Sequence, residues 1–150
     1  MQKLTPFLWF NDQAEEAAKL YVSIFKNSKI TQTERYGDTG PGPKGAVMTV
    51  AFELEGQPFV ALNGGPQYKF TPAVSFVANC TTQAEVDSLW DKLSSGGTQQ
   101  PCGWLTDKFG LSWQVVPTIL HELIHKPKVM QAMLQMSKLD IAVLQQAAKE

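Results

Sequence analysis

Apolar and polar residues fall into short runs whose period alternates between that of a strand and that of a helix. Thr5 to Phe10 (TPFLWF) is aromatic and apolar throughout, as a buried strand would be. Ala14, Ala17, Ala18, Tyr21 and Phe25 then recur at helical spacing and predict a helix over about 13–25. Asp12, with Glu15 three positions on, has the form of a capping box. Ile30 to Arg35 alternates and reads as a half-exposed strand. Gly37 to Gly45 (GDTGPGPKG) holds four glycines and two prolines, which predicts a mobile loop without packing content. Ala46 to Glu55 is a strand, Glu55-Gly56-Gln57 a tight turn, and Pro58 to Asn63 its hairpin partner. Gly64-Gly65-Pro66 ends the unit.

The same order then begins again. Ala73 to Asn79 reads as a strand, and Thr82 with Glu85 as a capping box. Val86, Leu89, Trp90 and Leu93 make a helical stripe that Ser94-Ser95-Gly96-Gly97 stops. Three short extended pieces follow, near Thr98 to Pro101, Gly103 to Asp107 and Leu111 to Val116. From Pro117 the spacing of Val129, Met130, Met133, Leu134, Ile141 and Leu144 predicts a helical tail.

A twofold βαβββ repeat followed by helices is the main structural content of the sequence. The expected fold is α+β and one domain over 1–150. Module one covers about 1–66, module two about 67–117, and a helical extension 118–150. Each module would curl its strands into a half-open cup with the helix outside, leaving a cleft as the default ligand site.

The chain has 150 residues, 43% of them hydrophobic and 18% charged, which suits a folded domain and excludes disorder. Thirteen basic against fourteen acidic residues give a net charge of -1. That balance argues against a nucleic-acid partner. No run approaches the roughly 18 apolar residues of a membrane span. Leu4 to Phe10 is too short for a signal segment, so the expected location is cytoplasmic. Cys80 and Cys102 are too few for a disulfide framework and are read as reduced.

The repeat, with the phrases TPFLWFNDQAEEAAKLY, FVALNGGP, PAVSFV and CGWLTDKFGLSWQVVP, resembles the vicinal oxygen chelate superfamily of glyoxalases, dioxygenases and bleomycin-resistance proteins. The likeness is closest to its PhnB-like branch, also labelled demethylubiquinone methyltransferase-like. The resemblance implies the glyoxalase-like fold and a homodimer, for which Met130, Met133 and Met136 offer packing material.

Metal-dependent relatives draw one ligand from each of four strands. Those places fall here near Thr5 or Phe7, on Ala61 or Asn63, between Pro72 and Ser75, and on Gln114. None is His, Asp or Glu, and neutral oxygens alone hold a divalent ion poorly. The expectation is therefore no cofactor, with a divalent metal as the alternative. Gln114, Asn63 and Ser75 become candidate orienting groups for a small-molecule ligand. Phe7, Trp9 and Trp104 become candidate aromatic walls, joined by Phe76 and Phe109. Each of these has a structural alternative, as a core or turn residue. Asp107 in Asp107-Lys108-Phe109-Gly110 reads as a turn former.

His121-Glu122-Leu123-Ile124-His125 spells the zinc-protease pattern H-E-x-x-H. Pro127 cuts the helix just beyond it, and only Asp140 or Glu150 follows as a third ligand. The motif therefore reads as chance on an exposed or dimer-facing helix and not as a protease site, with adventitious zinc or nickel at His121 and His125 as the alternative. No glycine-rich turn joins a parallel strand to a helix, so the methyltransferase label gains no support. Neither cysteine has a histidine near it in sequence. Two functions remain open: a small-molecule binding protein free of metal, and a metal-assisted lyase, isomerase or dioxygenase-like enzyme.

Overall fold

The structure is a computed structural model and describes residues 2–150. It divides into two compact units after Lys69. The first contains β1 (Phe7–Phe10), α1 (Ala14–Ile24), β2 (Lys29–Arg35), β3 (Val47–Leu54) and β4 (Gln57–Asn63). Its sheet runs β1-β4-β3-β2, with β1 parallel to β4 and the other pairs antiparallel. The second contains β5 (Ser75–Cys80), α2 (Gln83–Ser94), β6 (Thr98–Gln99), β7 (Trp104–Thr106) and β8 (Ser112–Pro117). Its sheet runs β5-β8-β7-β6, so the strand order repeats. This is the expected α+β arrangement of two βαβββ modules. The chain ends in α3 (Ile119–Leu123), α4 (Pro127–Leu134) and α5 (Ile141–Ala148). Among the described residues, no helix is long and apolar enough to cross a membrane.

Alternation along the strands decides which face meets the helix. In the first sheet Leu8, Phe10, Val50, Phe52, Phe59 and Ala61 are buried. Tyr21 of α1 lies 6.3 Å from the Phe52 ring, which stacks on Phe59 at 5.4 Å. In the second sheet Leu105, Trp113 and Val115 are buried with the α2 stripe Val86, Leu89, Trp90 and Leu93. Phe76 lies on this helix face, 5.8 Å from Trp113, and not on the open face expected for it.

The two helices start differently. Thr82 and Glu85 form the capping box expected of them, with Oγ1 accepting from Glu85 N and the Glu85 carboxylate accepting from Thr81 N. Asp12 does not cap α1. Gln13 holds the cap position without a side-chain bond, and Asn63 Oδ1 accepts from Ala14 N at 2.8 Å instead. The cap thus comes from the far end of β4, a residue that local spacing does not reveal.

The glycine-rich segment also differs from expectation. Tyr36 is buried, and a Cβ at Gly40 or Gly42 would fall 2.7 or 2.4 Å from its ring. The missing side chains let the loop close over the tyrosine, whose hydroxyl donates to Asn63 O.

The helical tail begins two residues later than expected, at Ile119, because Pro117 closes β8 opposite Cys80. Val116, Leu120, Val129, Leu139 and Leu144 form a small core, against which Met133 and Met136 pack. These two methionines are therefore covered by their own chain. Gln83 ties the tail to α2: its amide donates to Leu139 O and its oxygen accepts from Ile141 N. Its amide also donates to Asp87, which pairs with Lys138 at 3.0 Å. The Gln83 bond, then the Lys138 bond, draws the Asp87 carboxyl below its ordinary range.

Candidate functional site

Each sheet has an open face opposite its helix. On the first, Phe7 pairs with Val60 and Trp9 with Leu62. Phe7 is 59% exposed. Trp9 is held in place: its indole N–H donates to Gly65 O at 2.9 Å, and Tyr68 meets it edge-on at 5.0 Å. Gly64 lies under the ring, where a Cβ would fall 2.4 Å away. Phe7 and Trp9 thus sit on one face of the sheet.

Asn63 lies elsewhere. It alternates with Phe59 and Ala61 and pairs with Phe10, which puts it on the helix-facing side. Its oxygen takes Ala14 N–H and its amide donates to Val47 O at 3.1 Å. Both halves of the carboxamide bind backbone. Asn63→Ala would leave the Ala14 N–H and the Val47 carbonyl without these partners. It should lower stability by about 2 kcal/mol, measured by urea unfolding. A loss within about 0.5 kcal/mol, as at an ordinary surface position, would contradict this role.

On the second sheet this face carries Ser75, Val77 and Asn79 of β5, Trp104 and Thr106 of β7, and Ser112 and Gln114 of β8, while Val116, next along β8, is covered by the tail. Gln114 Nε2 donates to Ser75 Oγ at 3.0 Å. Its carbonyl oxygen has no partner among the described residues. Trp104 is its direct neighbour on β7. Ser75, Trp104 and Gln114 are each half-buried. Three of the expected site residues therefore come together.

One row along, Thr98, Thr106, Ser112 and Ser75 stand opposite one another across all four strands. Sequence reasoning missed Thr98, Thr106 and Ser112 as a group. Their positions relative to Gln114 in each strand were the available signal.

Asp107, 2% exposed, is the turn former expected. Its Oδ1 accepts from Phe109 N and Leu111 N, and its Oδ2 accepts from Trp113 Nε1 at 2.9 Å. Phe109 packs under the Lys108 ammonium, 5.2 Å from the ring centre. His121 is exposed, and one ring nitrogen sits 3.1 Å from Asn79 Oδ1. Both thiols are free. Burial, with a smaller push from Glu85, raises the Cys80 thiol to about 12, so it stays protonated at neutral pH.

The four metal-ligand places offer no charged donor. Those on β4 fall on Ala61 and Asn63, which face the helix, and Gln114 offers only a neutral amide oxygen. Among the described residues no three His, Cys, Asp or Glu side chains come together. This donor chemistry does not fit a tightly held divalent ion.

Residues 2–116 match the family model described as 3-demethylubiquinone-9 3-methyltransferase. The chain belongs to that family. Its PhnB-like members include the PhnB protein of Bacillus cereus, 37% identical, with a TM-score of 0.72 over 78% of this chain and 100% of that one. A Pseudomonas aeruginosa protein is 23% identical, with a TM-score of 0.65 over 78% of this chain and 98% of that one. The fosfomycin resistance protein FosX of Mesorhizobium loti shares the fold at 12% identity, with a TM-score of 0.59 over 84% and 100%. The chain is thus PhnB-like, and the likeness to FosX shows a shared fold. No functionally curated protein matches it. The family match stops near the end of β8, so α3 to α5 lie beyond it.

Proposed function

We propose that the chain binds a small organic molecule on the open face of its second sheet, without a resident metal. Gln114 and Ser75 orient the ligand there and Trp104 packs against it. The observation that carries this reading is the Gln114–Ser75 pair. A charged metal ligand is replaced by a neutral amide, one end of which is anchored while the other end lacks a protein partner. That oxygen is open to water in the free protein and so available to a ligand donor. Phe7 and Trp9 give the first sheet a separate aromatic surface suited to an apolar ligand. Neither glycine segment precedes a helix, so methyl transfer has no cofactor loop of the common kind to rest on. The reading includes a homodimer, tested by a sedimentation mass twice that of the chain, and a cytoplasmic location, which suits two free thiols.

Elemental analysis of tag-free protein purified without added metal tests the central point. The expected result is far less than one metal per chain. Near-stoichiometric metal that survives His121→Ala/His125→Ala and is lost in Gln114→Ala would overturn the reading. It would point to metal-assisted lyase or isomerase chemistry. Metal lost only with the two histidines would place it on the tail, and the sheet reading would stand.

A further inference from the structure

The strands of the second sheet's open face carry several hydroxyls and no acidic or basic side chain, and His121 of α3 meets the face at Asn79. An anionic ligand would need an Arg or Lys partner, and a cationic one a carboxylate. Desolvating either against this face would be costly without one. Neutral donors and acceptors instead suit a neutral ligand rich in oxygen.

The row Thr98-Thr106-Ser112-Ser75 sets four hydroxyls side by side, spaced at about the 4.8 Å between strands. That spacing is close to the separation of two equatorial oxygens placed 1,3 on a saturated six-membered ring. At the centre of the row, Ser112 is 1% exposed and its hydroxyl has no hydrogen-bond partner. A buried hydroxyl without a partner is a standing cost to the fold, which a bound oxygen would remove. Its neighbours on either side, Ser75 and Thr106, are half-buried. Trp104, in the adjoining row, offers a flat face for the C–H side of such a ring.

We propose that this hydroxyl row, with Gln114 and Trp104, recognises a neutral cyclic polyol, a sugar or cyclitol ring without charge. The proposal rests on the binding reading above and names the ligand class of the same face.

The test is titration of 15N-labelled protein with D-glucose and myo-inositol, beside D-glucosamine and D-glucuronate as charged rings. The neutral rings should shift the Gln114 side-chain amide and the Trp104 indole N–H. The charged rings should bind about tenfold more weakly or not at all. Thr106→Val should weaken binding of the neutral ring about fivefold to tenfold by removing one hydroxyl. Ser112→Ala should weaken it similarly while raising Tm. A hydroxyl with a purely structural role would not move both in those directions. Thr106→Val gives the binding answer even if Ser112→Ala folds poorly. Absence of shifts with every neutral ring would overturn the polyol assignment, as would equal binding of neutral and charged rings. A different ligand whose affinity falls in Gln114→Ala but not in Thr106→Val would overturn the polyol class and leave the binding reading intact. A ligand indifferent to both variants would overturn both.

Discussion

Asp107→Ala is expected to lower stability by about 4 kcal/mol in urea unfolding. The Asp107 carboxylate is buried and accepts from two backbone N–H groups and one indole N–H. Bonds to a charged acceptor contribute about 1.5–3 kcal/mol each, and truncation strands the donors in a dry site. Asp107→Asn separates the parts. Its oxygen can keep Phe109 N and Leu111 N, but its NH2 then faces the Trp113 N–H, donor against donor. That variant should lose about 2 kcal/mol, and the loss should shrink in a Trp113→Phe background. A loss under about 0.5 kcal/mol in Asp107→Ala would show that the carboxylate is not the anchor of the turn. The consequence reaches the open face, because this turn sets the register of β7 against β8 and so places Thr106 beside Ser112.

Gly97→Ala should be at least as damaging, at about 4 kcal/mol or more, and soluble yield should fall with it. A Cβ there would meet Thr106 O at 2.0 Å and Asp107 C at 2.7 Å, both backbone atoms. A flexible side chain could move away, but a strand held by its ladder cannot do so cheaply. Gly37→Ala serves as the control. Nothing lies within 4 Å of a Cβ built there, so its effect should stay within about 0.5 kcal/mol. Equal stabilities for the two variants would mean that Gly97 does not sit against β7 as described.

Most of the fold was legible in the sequence because two periods alternate and then repeat. The βαβββ order, the α2 capping box and the α2 stripe follow from spacing within single segments. What was not legible depends on which residues meet across strands. Asp12 looked like a cap because it stands in the right place along the chain, but Asn63 reaches Ala14 through the sheet. Asn63 looked like a ligand residue because the ligand place on the fourth strand falls on it or on Ala61, with a turn before Gly64-Gly65 as the alternative. Its alternation with Phe59 and Ala61, both apolar, would have put it on the helix side. The glycine-rich loop looked empty because glycine contributes no side chain, yet that absence is what lets it cover Tyr36. At the candidate site, Gln114, Ser75 and Trp104 could be read one by one. The hydroxyl row could not, because its members come from four strands.

The two thiols give the molecule a built-in labelling site. Cys80 is buried and held protonated at neutral pH, so alkylating reagents should pass it by. Cys102 is half-buried, and its backbone N–H donates to Met136 O, with Gly103 N donating to Ser137 O beside it. It therefore stands where the tail docks. A fluorophore attached at Cys102 would report detachment of residues 118–150 with no engineered cysteine. The docking of the tail, which lies beyond the family match, could thus be followed in the wild-type chain during unfolding in urea.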